Sequence, residues 1–225
     1  MQIADNVLRH YLRNVYFING TPFAGKSTMC KMLAEKYGLY LCEDLYMLDR
    51  LMPIATQEEQ PNLCYFKTKK DWQEYLNRTP DEYAAWIRGN SWESAGFEVA
   101  ELIRISANQK VIVDTDIPCE LLMRITDYHH VAVMLASQSI AVDNFFDRDD
   151  HEKQFLLHQI RQAENPAKTM ANFRACIGKT WLESYDSWLN SGFYTIIRKN
   201  VTEDTRQEVL AQLAEHFGLV DHEAS

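Results

Sequence analysis

Eight consecutive residues carry the plainest chemistry in this chain. Gly20-Thr21-Pro22-Phe23-Ala24-Gly25-Lys26-Ser27 satisfies G-x-x-x-x-G-K-[ST] at every fixed position, and Thr28 follows. Each residue type has a physical reason. The glycines let the backbone turn tightly and aim N–H groups inward at phosphate oxygens. A helix starting near Lys26 adds its positive end. Lys26 reaches toward β- and γ-phosphates, and Ser27 offers a hydroxyl to Mg²⁺. The pattern is a grip for a nucleotide, and by itself it does not separate a kinase from an ATPase or a GTPase.

Such a grip needs a carboxylate near the metal, at the end of a neighbouring strand. Asp114 closes the apolar run VIVD and is the leading ligand for Mg²⁺ or its water, with Ser27. Asp116 is a weaker candidate, better suited to capping a helix that starts at Pro118. Glu43 and Asp44 follow a second apolar run and would also lie at a strand end, where sites form in parallel sheets. Asp44 is the preferred proton acceptor for an attacking hydroxyl. A solvated turn or helix cap explains the same pair equally well.

The elements that must hold these residues are short strands alternating with helices. Strands are expected near 15–19, 39–42, 111–114, 131–135 and 193–197. Met29, Met32, Leu33 and Tyr37 share one face of a helix over Lys26–Tyr37, and Gly38 is a natural stop. Thr79-Pro80-Asp81-Glu82 reads as a helix start. The helix it opens is expected to break near Gly89 or Gly96, and a later one near Asn165-Pro166 and Gly178. A closing helix, 202–217, carries Val209, Leu210, Leu213 and Phe217. The expectation is an α/β fold, one domain over 1–225. A five-stranded parallel sheet is covered on both faces, with helical insertions after the second and fourth strands.

Composition narrows the classes. Of 225 residues, 46% are hydrophobic and 24% charged, as in ordinary globular domains. A net charge of -9 disfavours nucleic-acid binding. Cys30, Cys42, Cys64, Cys119 and Cys176 form no CxxC pair, so free thiols in a reducing cytoplasm are expected. No run spans a bilayer and the first residues lack a secretion-signal core, so no membrane partner is expected. Self-association as a homodimer is left open. The adjacent His129 and His130 have no metal-ligand spacing on one helix face, and no G-x-S-x-G is present.

With loop, strand-end acids and excursions placed, the chain resembles the nucleoside-monophosphate-kinase-like P-loop kinases, especially the small-molecule kinases around shikimate kinase, chloramphenicol phosphotransferase and the nucleoside kinases. The resemblance covers most of the chain as a layout, and only Gly20–Thr28 is motif-specific. It implies a three-layer P-loop fold with strand order 2-3-1-4-5, an acceptor region over about 45–108 and a lid over about 143–168. It implies ATP and Mg²⁺ as cofactors and transfer of the γ-phosphoryl group to a hydroxyl of a small molecule. Lys26, Asp44 and Arg148 would be catalytic, and Arg161 would bind the nucleotide, with Arg174 more distant. Here the chain departs from the pattern, because no compact R-x-x-x-R pair is present.

In the acceptor region Arg50 and Arg88 could hold a carboxylate or phosphate, and Glu93 could hold hydroxyls. Solvated helix faces explain these three almost as well. The aromatics there (Tyr65, Trp72, Tyr75, Tyr83, Trp86, Trp92, Phe97) could stack on an acceptor, but packing between helices is the expected role for each. Two other classes compete. An ATP-binding regulatory module would lack an acceptor; a GTPase switch is disfavoured because N-K-x-D and D-x-x-G are absent. A polynucleotide-end kinase is disfavoured by the acidic charge.

Overall fold

A computed structural model describes residues 3–43, 46–143, 145–146, 151–198 and 204–219. Its strands are β1 Val15–Gly20, β2 Tyr40–Cys42, β3 Val111–Asp114, β4 Val131–Ala136 and β5 Tyr194–Arg198. They form one parallel sheet in the order β2-β3-β1-β4-β5. The three central strands are near-continuous apolar runs because both of their faces are covered. The edge strands β2 and β5 are half-exposed.

The period of two along β1 divides the core. Val15 and Phe17 face one way, joining Val113, Val133 and Leu135. On that face pack α1 (Asp5–Leu12), α3 (Pro80–Ile105) and α4 (Cys119–Ile125), through Leu12, Leu102, Leu122 and Ile125. Tyr16 and Ile18 face the other way with Ile112 and Met134. There α2 (Lys26–Tyr37) contributes Met29, Leu33 and Tyr37. The closing helix α7 (Arg206–His216) contributes Leu210 and Leu213, and Phe217 follows it. Each fully buried side chain of this size contributes about 1.5–3 kcal/mol.

Two helices run through the glycines at which breaks were expected. In α3 the capping box of Thr79 and Glu82 forms, with Pro80 in the first turn, and the helix then continues past Gly89 and Gly96. Gly89 serves a close approach instead. A Cβ there would lie 2.4 Å from Asn62 Nδ2. Helix α6 (Pro166–Leu189) begins at the expected Asn165-Pro166 and passes Gly178 unbroken. Packing of α3 against α6 outweighs the roughly 1 kcal/mol that a glycine costs a helix.

A third cluster fills the space between the excursions. Tyr75, Leu76, Tyr83 and Trp86 meet Ile160 of α5 (His151–Arg161) and Phe173 and Cys176 of α6. Tyr65 and Trp72 pack against it, so most of the aromatics are core, while Trp92 is exposed. All five cysteines are free and buried. Among the described residues, no helix is long and apolar enough to cross a membrane.

Candidate functional site

The loop leaves β1 through a forced contact. Gly20 has φ 130°, and a Cβ there would lie 1.9 Å from the Met134 carbonyl oxygen of β4. Thr21 then ties the loop to β4 twice. Its N–H donates to Met134 O at 3.0 Å, and its Oγ1 accepts from Ala136 N at 2.7 Å. Pro22 is exposed, Ala24 is buried, and Phe23 takes φ 64°. Gly25, at φ 95°, is the N-terminal residue before α2. Neither a side-chain cap nor a first-turn acid occupies that end, so its N–H groups and positive dipole face the loop.

Three of the expected residues converge. Ser27 Oγ donates to Asp114 Oδ2 at 2.6 Å, and Lys26 Nζ lies 3.7 Å from Asp114 Oδ1 and 3.4 Å from Thr21 O. The pairing follows from the sheet. β3 lies beside β1, Ile18 is level with Asp114, and the first turn of α2 stands over both strand ends. Asp114 is only 5% exposed, and Lys26 offsets its charge. The donor set is all oxygen and hard, as Mg²⁺ requires. Among the described residues no cluster of three or more His, Cys, Asp or Glu could hold a metal.

One cavity opens along the loop and another at the end of β3. One, of about 750 Å³, lies between Ala24, Gly25 and Thr28, strand β5, and Arg206 and Val209 of α7. It has room for a nucleoside. At its edge Arg206 holds the Asp204 carboxyl down to about 2. The other, of about 190 Å³, lies at the end of β3, where Asp114, Thr115 and Asp116 meet Tyr46, Asn90 and Glu98. Tyr46 Oη and Asn90 Oδ1 are buried without a hydrogen-bond partner among the described residues. Burial, reinforced by Glu98, pushes the Tyr46 phenol far up, so it stays protonated.

Asp116 is not the cap of the Pro118 helix. Pro118 precedes α4 without any side-chain cap bond. The Asp116 carboxylate instead lines this cavity and a second, of about 140 Å³, that adjoins it along α3. Although solvent reaches it, desolvation by the cleft walls pushes its pKa up; Lys26 opposes this and Asp114 adds to it.

The other expected residues lie apart from this centre. Glu43 is exposed and pairs with Lys31 at 2.9 Å. Arg50 pairs with Glu101 on the surface, and Arg88 with Glu183 at the rim of the smaller cavity. Glu93 is a structural carboxylate: it accepts from Asn62 N, Asn62 Nδ2 and Leu63 N at 2.6–3.2 Å. Asp44 and Arg148 lie outside the described residues. Arg161 ends α5 exposed. The cation that α5 brings over the Phe23 ring is Lys153, with Nζ 6.0 Å from the centroid.

Two cations at the loop escaped the sequence reading. One is Lys153. The other is Arg198, the last residue of β5, whose Nη1 donates to Phe23 O at 2.9 Å. The available signal was position alone, because Arg198 follows the apolar run YTII at a strand end. No protein-family model and no curated protein matches this chain.

Proposed function

We propose that this chain is a P-loop kinase, an ATP- and Mg²⁺-dependent enzyme that moves the γ-phosphoryl group to a hydroxyl of a small molecule. One observation carries the reading. Lys26, Ser27 and Asp114 converge where a nucleoside-sized cavity runs along the loop and a smaller cavity opens at the Asp114 end of β3. Backbone N–H groups of the loop and the end of α2 would bind phosphates, with Lys26 on the transferring group. Mg²⁺, held by Ser27 and by Asp114 directly or through water, would offset charge on the phosphate oxygens. Arg198 steadies the loop through the Phe23 carbonyl.

The acceptor oxygen bonds to the γ-phosphorus as the bond to the β–γ bridging oxygen breaks. The electron pair leaves on ADP, and the hydroxyl proton passes to a carboxylate at the cavity. Asp116, which lines that cavity, or Asp44, the acid expected from the sequence, would accept it. The excursion over 45–108 supplies the acceptor wall through Tyr46, Asn90 and Glu98. The region around α5 would form the lid. A regulatory module would have no use for a second cavity beside Asp114, and this weighs toward the kinase.

The test is ADP release from Mg·ATP across nucleosides, sugars and amino sugars, with Lys26→Ala as control. Acceptor-stimulated release lost in Lys26→Ala is expected. Equal release by both proteins refutes the proposal.

A further inference from the structure

Helix α3 lines two cavities with adjacent rows of side chains. Asn90, Ser94 and Glu98, each four residues from the next, line the inner one of about 190 Å³ beside Asp114. Ala84, Arg88 and Trp92, on the same period further round the helix, line the outer one of about 140 Å³ against α6. The row between them holds Ile87 and Ser91, and both residues line both cavities, as does Asp116. The two are therefore neighbouring chambers that meet at one strip of α3. At ~30 Å³ per water they hold about six and about five waters, room for one ring apiece.

Unsatisfied polar atoms gather in these chambers. Four buried side-chain nitrogen or oxygen atoms have no hydrogen-bond partner among the described residues, and three of them belong to lining residues. Tyr46 Oη and Asn90 Oδ1 belong to the inner chamber and Thr180 Oγ1 to the outer. Buried groups of this kind are costly to leave unpaired, so their concentration at one place points to a ligand that completes them. The Tyr46 hydroxyl calls for an acceptor, Asn90 Oδ1 for a donor, and Thr180 takes either. A sugar hydroxyl is donor and acceptor at once, and a sugar ring offers C–H faces to Met47, Leu51 and Leu63 of the inner wall. The outer chamber adds a different group. Trp92 is 49% exposed there, whereas Tyr75, Tyr83 and Trp86 of the same excursion are buried. An indole left in water beside a cavity is a platform for a flat ring. Arg88 is already paired with Glu183, and no described lining residue of either chamber is Lys or His, so an anionic ligand gains no free cation from them.

Resting on the kinase reading, we infer that the acceptor is an uncharged glycoside whose aglycone is a flat ring. The sugar fills the inner chamber against Tyr46 and Asn90, with its reacting hydroxyl at the Asp114 end of β3. The aglycone crosses the shared strip of α3 and lies on Trp92 in the outer chamber. Aryl glycosides and nucleosides share this chemistry, and the two arms of the test separate them.

The test uses the full chain with Mg·ATP and acceptors that share a sugar and differ in the aglycone. Methyl and phenyl β-glucoside form one pair; methyl β-riboside and uridine form the other. ATP binding by wild type and Lys26→Ala is measured by calorimetry in parallel. In at least one pair the flat-ring member should exceed its methyl counterpart by at least about tenfold in kcat/KM. The anionic analogues, phenyl β-glucuronide and uridine 5′-monophosphate, should be used at least about tenfold less well than their neutral parents. Trp92→Ala should cut the flat-ring to methyl ratio by about three- to tenfold, and Trp92→Phe, which keeps a ring, by less. Tyr46→Phe should lower kcat/KM for both members about five- to tenfold with no fall in the urea midpoint, because the lost hydroxyl has no partner in the free protein. A ratio unchanged in Trp92→Ala, or a Tyr46→Phe protein that is less stable than wild type, overturns the placement of the ligand. Lys26-dependent ATP binding with no preference in either pair, with no glycoside used, or with the anionic analogues preferred overturns the inference alone. ATP binding unaffected by Lys26→Ala overturns the kinase reading beneath it.

Discussion

Gly20 and Gly25 are interchangeable as motif letters but not as positions, and alanine substitution should separate them. At Gly20 a Cβ would lie 1.9 Å from Met134 O, which is 1.1 Å inside the 3.0 Å that real contacts respect. It would also lie 2.7 Å from Met134 C. These are backbone atoms of a central strand, so no side-chain rotation relieves the clash. β1 and β4 would have to part at their ends. That displacement would strain the bonds Thr21 N to Met134 O and Ala136 N to Thr21 Oγ1, each worth about 1–1.5 kcal/mol. Holding alanine at φ 130° adds about 1–3 kcal/mol. Gly20→Ala should therefore cost about 3–6 kcal/mol, a large share of the ~5–15 kcal/mol typical of a domain. At Gly25 the nearest atom is the flexible Met134 Cε at 3.8 Å, so strain at φ 95° is the main cost, about 1–2 kcal/mol. Urea unfolding followed by circular dichroism measures both. The midpoint of Gly20→Ala should fall at least about twice as far as that of Gly25→Ala, at similar slope. Equal shifts, or a Gly20→Ala protein as stable as wild type, would refute the account of how β1 meets β4.

Asp114→Asn keeps the shape that faces Ser27 but removes the charge. The Mg²⁺ concentration for half-maximal turnover should rise about ten- to hundredfold, and an unchanged Mg²⁺ titration would remove Asp114 from the metal site. Glu93→Gln leaves the 62–63 turn without its charged acceptor and should cost about 1.5–3 kcal/mol in urea unfolding; no loss of stability would return Glu93 to the cleft. Stability should also depend on His216. Burial, with His129 adding to it, holds its imidazole below the usual 6.5 despite the hydrogen bond to Val131 O. The unfolded chain then binds the proton more tightly, so this contribution is full above about 6.5 and is lost as pH falls through 6.5 toward the folded value. Thermal melts should show a shallower acid loss in His216→Gln; an identical pH slope would refute the assignment.

What the sequence made legible was local. The loop reads from eight adjacent residues, and the central strands read from apolar runs that two covered faces demand. Asp114 was readable because its strand ends on it. The acceptor side was not, because its groups meet across long separations. Glu93 turned out to hold a segment thirty residues earlier, through backbone N–H groups that carry no side-chain signature. Arg50 and Arg88 found partners on α3 and α6, and no spacing rule within one helix announces such pairs. Asp116 was read as a cap because Pro118 follows it, and only the packing of α3 over β3 gives it a cavity. The glycines of α3 and α6 misled in the opposite sense. They suggested breaks from local propensity, where tertiary contact decides.

Thr21 divides the loop after β1 into two parts that are tied to the sheet differently. Its buried hydroxyl and amide make the first turn an extension of the β4 ladder. Pro22 to Gly25 have no such ladder, and the Arg198 bond to Phe23 O is their cross-link to β5. Thr21 and Ala136 amides should exchange with solvent on the timescale of the core, and those of Phe23 to Gly25 much faster. An incoming nucleotide would have only those few residues left to order. At about 1–2 kcal/mol of backbone entropy per residue, half the loop's ordering is completed when the sheet folds, before any ligand arrives.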